Sequence, residues 1–413
     1  MSGISRMAET VKRCRFDNLD LGPGQVVLVF QGGGALGAYQ AGVYQALHEA
    51  GIEPDWIIGT SIGAINASLI AGNPPTERLS RLKEFWERMA HTAVWSTLAA
   101  WPQMCQALSY WNTLARGIPG FFEPNVKALW GTHVHLGADK AGYYSTAPLE
   151  KTLSELVDFS LVNQCKPRLT VGAAHVRTSQ MKYFDSRDME LGLKHVMASG
   201  ALPPAFPAVR IDGELYWDGG ILSNTPTEVI FEDNPRRDSL IFAVHMWNPI
   251  GPEPETMWEV MHRQKDIQYS SRVASHITRQ LQAHRLRHVI KELLAYIPKD
   301  VRDSDDVREL AGWGCLTRMH VVRLLAPRLA NEDHTKDVDF SPGGIRKRWE
   351  AGYESTLQAI ALKPWQGEFD PLEGVILHEP RDDSGVEQAA EQSIVPAKPA
   401  VDFASDRPRL RAS

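Results

Sequence analysis

A layered α/β fold is predicted by the order in which apolar runs, glycine turns and helical patterns follow one another. Val26-Val27-Leu28-Val29-Phe30 reads as a buried strand. Gly32-Gly33-Gly34-Ala35-Leu36-Gly37 then turns the chain into a helical pattern from Ala38 to Ala50. The arrangement recurs at once: Trp56-Ile57-Ile58 is a short buried strand, and Gly59-Thr60-Ser61-Ile62-Gly63 is a sharp turn. Ala64 to Ala71 is a small-residue helix closed by Gly72. Successive strand–turn–helix units build a mainly parallel sheet covered by helices. Further strands are expected at Leu169 to Val176, Glu214 to Trp217 and Leu240 to Met246.

Four regions follow along the chain. An N-terminal arm, 1–24, is charged throughout and has no apolar core of a signal peptide. A strand-and-helix body spans 25–250, with a helical, aromatic-rich insertion at about 74–144. The first helix of the insertion aligns Leu79, Leu82, Phe85, Trp86 and Met89. Trp95, Trp101, Tyr110, Trp111, Phe121, Phe122 and Trp130 follow, to pack the insertion on the core or to form an acyl-binding lid. A mostly helical extension spans 251–377. It opens on a long helical pattern over 255–300 with Ile267, Val273, Ile277, Leu281, Val289 and Leu293 near one face. Basic residues interspersed there fit either packing on the domain or lying on an anionic membrane, of which packing is the commoner. A strand at Met319 to Leu325 and a helix through Trp349, Tyr353 and Leu357 follow. The tail, 378–413, is polar and is expected to be disordered.

Three segments carry chemistry. Gly59-Thr60-Ser61-Ile62-Gly63 is a G-x-S-x-G sequence between a strand and a helix, the context of a nucleophile elbow. The loop Gly32 to Gly37 exposes backbone N–H groups at a helix start, which suits a phosphate or the oxyanion of acyl transfer. Asp218-Gly219-Gly220 places a carboxylate in a turn at a strand end. A serine hydroxyl needs a base to take its proton. An aspartate, with a free pKa of about 3.9, becomes a useful base when burial raises that value. Taken alone, Ser61 also reads as a helix N-cap and Asp218 as a turn residue.

These segments, in this order, resemble the patatin-like phospholipases, together with Ala198-Ser199-Gly200-Ala201-Leu202-Pro203-Pro204-Ala205-Phe206-Pro207. The resemblance covers about residues 25 to 250. It implies a three-layer α/β/α sandwich and a lipid acyl hydrolase without cofactor or metal. By residue it implies Ser61 as nucleophile and Asp218 as base. Gly32, Gly33, Gly34, Ala35, Leu36 and Gly37 would form the oxyanion hole, with Gly59, Gly63, Gly219 and Gly220 shaping the turns. One position departs: where the family carries Arg or Lys before the last loop glycine, this chain has Leu36. The C-terminal region resembles an extension found in a bacterial subset of the family.

Other readings meet obstacles. Gly32, Gly34 and Gly37 also fit the dinucleotide fingerprint G-x-G-x-x-G. That reading needs an acid at the end of the second strand, and Asp55 precedes it. His175 and His195 read as structural, and no spacing of His, Cys, Asp or Glu suggests a metal site. A net charge of −6 argues against nucleic acid. Four scattered cysteines and no apolar span fit a cytoplasmic protein, working free or at a membrane or granule surface. Hydrolysis of an intracellular hydroxyalkanoate polyester, or a non-catalytic lipid- or granule-binding role, stays open beside lipid hydrolysis. Oligomeric state is not legible.

Overall fold

The strands, in chain order, are β1 (Gln25–Phe30), β2 (Trp56–Thr60), β3 (Glu123–Pro124), β4 (Tyr144–Ser145), β5 (Arg168–His175) and β6 (Met181–Asp185). They continue with β7 (Val209–Ile211), β8 (Glu214–Asp218), β9 (Ser239–His245), β10 (Met319–Leu325) and β11 (Val375–His378). The computed structural model describes residues 24–90, 115–126, 135–329, 332, 335–370 and 372–379, and the backbone alone over 271–278. Nine strands form one sheet in the order β11-β10-β9-β1-β2-β5-β8-β7, with β6 also on β5. The pairs from β11 through β5 are parallel, and β6, β7 and β8 run antiparallel to their neighbours.

Alternate residues of a strand point to opposite faces of the sheet. Val26, Leu28 and Phe30 belong to one hydrophobic core, whereas Val27 and Val29 belong to another. A strand buried on both faces reads as an unbroken apolar run, as β1 does. The helices that matter below are α1 (Ala38–Glu49), α2 (Ile62–Ala71), α3 (Arg78–Met89), α4 (Leu193–Ser199), α5 (Met257–Leu293) and α6 (Pro342–Leu362). Residues of α1, α2, α3 and α6 join the first core, while Ile230, Phe231 and Leu281 cover the second face. The result is the α/β/α sandwich with a mainly parallel sheet.

The extension shares this sheet. β10 lies against β9, β11 lies against β10, and α6 lies on α1. The two helices approach backbone to backbone. A Cβ at Gly42 would stand 1.9 Å from the Trp349 carbonyl oxygen, and one at Gly352 would stand 2.0 Å from that of Tyr39. Both glycines are present because no side chain fits the crossing.

Two expectations need correction. On α5 the expected apolar face is buried only in part: Leu281 packs on the second core, Ile267 and Leu293 are exposed, the side chains of Val273 and Ile277 lie outside the description, and Asp266, Ser270, His284 and His288 are buried. Helical periodicity finds a stripe but not what faces it, and here the neighbours are polar. Asp266 takes an ion pair from buried Lys336 at 2.7 Å, and His284 and His288 meet Thr317. Five short strands, β3, β4, β6, β7 and β11, also went unpredicted. In the insertion, Leu82, Phe85, Trp86 and Met89 of α3 are buried. Phe121 and Phe122 pack edge-on against Phe206 and Tyr144. Trp95, Trp101, Tyr110, Trp111 and Trp130 lie outside the described residues, as do 1–23 of the N-terminal arm and 380–413 of the tail, whereas His378, expected to open the disordered tail, ends β11. Among the described residues, no helix is long and apolar enough to cross a membrane.

Candidate active site

The site forms where two strands meet end to end. β2 pairs with β5 in parallel as far as Thr60 opposite Gly172. β8 pairs with β5 antiparallel, with Asp218 opposite Ala173. β6 covers residues 170–174 of β5 on the other edge, so β2 and β8 share one edge and run toward each other. Their last residues therefore converge, and Ser61 leaves β2 beside Asp218. The two side chains are close enough for the Ser61 hydroxyl to favour the Asp218 carboxylate.

Ser61 is held in a backbone conformation, φ 57° and ψ −127°, that side-chain-bearing residues rarely adopt. Its neighbours make the turn possible. A Cβ at Gly59 would lie 2.4 Å from the Gly63 carbonyl oxygen, and one at Gly63 would lie 2.4 Å from that of Phe30. Strand and helix thus touch through bare backbone. Ser61 begins α2, yet its side chain makes no capping hydrogen bond. Its N–H donates instead to Ser199 Oγ at 3.0 Å, and Ser199 Oγ donates to the Gly172 carbonyl at 2.6 Å. Ser199, at the end of α4, thereby fixes the turn to β5. Strain at one residue persists only where the surroundings over-determine it, and it collects at functional sites.

Asp218 is 2% exposed. Burial pushes its carboxyl up to about 7, against the opposing pull of hydrogen bonds from Ser61 and from the Gly220 N–H. The Gly220 N–H donates to Asp218 Oδ1 at 2.7 Å. Gly219 lies against β5, where a Cβ would stand 2.5 Å from the Gly172 carbonyl oxygen.

The glycine loop closes the third side. A Cβ at Gly32 would come within 3.0 Å of Ser61 Cβ, which sets the loop directly against the serine. Asn224 clamps the Gly32 peptide from both ends: its Oδ1 accepts from Gly32 N–H at 3.1 Å and its Nδ2 donates to Gly32 O at 3.1 Å. Trp247 Nε1 also donates to Gly32 O, at 2.8 Å. Gln31 Nε2 donates to Thr225 Oγ1 at 2.8 Å, and its Oε1 accepts from the Met246 N–H. Ala35 N–H donates to the Asp337 carbonyl at 2.8 Å, and Leu36 N–H donates to Gly33 O. Of the loop's expected donors, those of Gly33 and Gly34 have no protein acceptor among the described residues.

Gly34 has φ +57°, and a Cβ there would meet the Asp337 carbonyl oxygen at 2.2 Å. Gly37 lets Ile62 and Trp86 close over the start of α1.

Leu36 is buried and lines a pocket with Arg328, Lys336 and Arg348 of the extension. Those cations are paired with carboxylates, Lys336 with Asp266 and Arg348 with Glu332 and Asp339. Tyr269 of α5 stacks on Trp247 with ring centroids 4.8 Å apart, and its carbonyl accepts from Gln31 Nε2 at 3.3 Å. Burial first, then the Asp337 and Asp218 charges, push the Tyr269 hydroxyl up to about 12.

Sequence reasoning missed the supports Asn224, Gln31, Trp247, Tyr269 and Asp337, and knew Ser199 only as part of a block. Their partners lie far along the chain, and no spacing advertises them. Asp55 serves the fold, accepting the Val26 N–H at 2.9 Å. Among the described residues, no histidine hydrogen-bonds Ser61 or Asp218. His175 faces Glu214 and Tyr216, and burial holds the His195 imidazole below its usual range.

Comparison with known proteins fits this geometry. A family model described as patatin-like phospholipase matches residues 28–231, and a second, described as patatin phospholipase, matches residues 267–372. A lysophospholipase nte1 of Aspergillus terreus is 29% identical over 264 residues, covering 58% of this chain and 14% of that protein. The chain thus spans a small part of the curated relatives it matches. A putative patatin-like phospholipase domain-containing protein of Caenorhabditis elegans is 46% identical over 59 residues, 14% of this chain and 5% of its own. Among solved structures, VipD from Legionella pneumophila aligns at a TM-score of 0.36 and 16% identity, over 82% of this chain and 67% of that one. With both models matched in order along one sheet, the chain belongs to the patatin-like phospholipase family.

Proposed function

We propose that this protein is a serine carboxylic-ester hydrolase acting on lipid acyl esters through a Ser61–Asp218 dyad. The observation that carries the reading is the end-to-end meeting of β2 and β8, which sets a strained serine against a buried carboxylate. Ser61 Oγ attacks the ester carbonyl carbon and its proton passes to Asp218. The oxyanion is stabilised by backbone N–H groups of the loop, foremost Gly33 and Gly34. Collapse breaks the carbon–oxygen bond, and the leaving alcohol takes the proton from Asp218. Water then attacks the acyl-enzyme and gives a proton to Asp218; collapse breaks the bond from the acyl carbon to Ser61 Oγ, which takes that proton back as the acid leaves.

The body, 25–250, would carry the chemistry, and the extension, 251–377, would hold the oxyanion loop through Asp337, which accepts the Ala35 N–H, and Tyr269, which packs on Trp247. The lysophospholipase names of the fungal relatives support a single-chain lipid acyl ester as substrate. Exposed Ile250, Met257, Trp258 and Met261 at the start of α5 support work at a lipid or granule surface.

The test is hydrolysis of p-nitrophenyl esters of graded length and of lysophosphatidylcholine. Release of fatty acid from the lysolipid supports the reading. Turnover of hydroxyalkanoate oligomers alone would transfer the same dyad to a polyester, and no turnover of any ester would leave a binding role.

The Asp218 ionisation gives the pH dependence. Only the carboxylate accepts a proton, so kcat/KM is expected to rise with pH and reach half its plateau near pH 7. A half-point near pH 4 would remove burial as the activating device. Stability runs the other way. A carboxyl whose folded pKa is raised favours folding fully below its unfolded value, and that contribution is lost as pH rises through about 7. Asp218→Asn is therefore expected to be more stable than the parent at pH 9, by a few kcal/mol, and little different at pH 4. Urea denaturation at the two pH values measures this.

A further inference from the structure

The geometry points to a zinc site at His284, His288 and Cys315, on the far side of the sheet's edge strands from the ester chemistry. His284 and His288 are one turn apart on α5, so their rings share a face of the helix. They are 0% and 2% exposed. One ligand atom from each of the three residues lies within 4.8 Å of the others. Cys315 Sγ stands 3.8 Å from His284 Nε2. Zinc–nitrogen bonds of about 2.0 Å and zinc–sulfur bonds of about 2.3 Å in a tetrahedron separate such atoms by roughly 3.5 Å. Small side-chain rotations close the difference.

His284 Nε2 and His288 Nε2 both approach the Thr317 carbonyl, at 3.1 and 2.9 Å, and His284 Nε2 also lies 3.1 Å from Thr317 Oγ1. His284 Nδ1 is buried with no partner among the described residues. A metal in place of the shared hydrogen bonds takes both Nε2 lone pairs and the thiolate. The fourth position is left to oxygen, from Thr317 or water. Two imidazoles and a thiolate are donors for zinc and not for calcium or magnesium.

The surroundings are shaped to the cluster. A Cβ at Gly374 would lie 2.3 Å from His284 Cδ2 and 2.4 Å from His288 Nε2. Gly374 O accepts the Met319 N–H at 2.8 Å, at the start of β10. A metal here clips α5 to the segment that leads into β10. Its role is to tie two parts of the extension to each other, since no residue of the dyad touches the cluster.

The test is titration of the reduced, full-length protein with Co(II), followed by competition with Zn(II). One saturable equivalent is expected, with the ligand-field bands of tetrahedral cobalt and a sulfur-to-cobalt charge-transfer band. Zinc should displace both. Cys315→Ser should remove the charge-transfer band, whereas Cys165→Ser should keep it. His288→Gln should weaken binding roughly 100-fold or more, beyond the 10–100-fold typical of groups that only support a ligand. No saturable binding by the folded parent overturns the site, and so does a charge-transfer band that survives in Cys315→Ser. The parent titration decides by itself should a variant fail to fold.

Discussion

Ser61→Ala is expected to lower kcat for p-nitrophenyl butyrate by about ten-thousand-fold or more while the protein stays folded. Removing the nucleophile of a comparable hydrolase costs about a million-fold, and the remainder over water comes from binding and the oxyanion hole. Asp218→Asn should fall into the same range, because the amide cannot take the proton that makes Ser61 nucleophilic. The double substitution should be scarcely worse than either alone, since groups acting as a unit do not add. Folding is secure in the serine variant because Ser61 Oγ caps no helix and its backbone N–H contact with Ser199 survives. Stopped assays with circular dichroism on the same samples decide. Activity within tenfold of the parent in Ser61→Ala would place the nucleophile elsewhere and end the dyad proposal.

The second large effect belongs to Gly34. Its φ of +57° resists any L side chain, and a Cβ would strike the Asp337 carbonyl oxygen at 2.2 Å, an atom of backbone that cannot swing aside. Gly34→Ala must therefore move the loop or the extension, and either motion turns the Gly33 and Gly34 N–H groups away from Ser61. Loss of one such donor costs on the order of 3 kcal/mol in transition-state stabilisation, about a hundred- to a thousand-fold in kcat. KM should change by far less, because the ground-state carbonyl uses those donors weakly. A steady-state comparison with short esters separates the two parameters. A rise in KM with kcat intact would show the loop binding substrate and not its oxyanion.

Much of this was legible in sequence, and the pattern of what was not has a physical cause. β1, β2, β5 and β9 were readable to within two residues because parallel strands buried on both faces are continuous apolar runs. The elbow was readable because the turn demands glycine at 59 and 63. Asp218 was readable from its place at a strand end followed by two glycines. The short strands β6, β7 and β11 were not, because five residues or fewer with mixed polarity carry no usable period. Asn224 and Asp337 were not, because each acts on the glycine loop from far along the chain through one or two hydrogen bonds. The buried face of α5 was legible only in part, because several of its buried groups, Asp266, His284 and His288, are ionic or imidazole, and hydrophobic periodicity does not mark them.

The extension ends the sheet in a four-residue strand, β11, whose parallel neighbour β10 in turn covers β9. A chain cut after residue 250 would leave β9 as an open edge of apolar residues, Leu240-Ile241-Phe242-Ala243-Val244, with no charge among them. Such an edge is a template for strands of other molecules. The segment that braces the glycine loop also covers this edge, and a fragment ending at residue 250 would be expected to precipitate before it could be assayed.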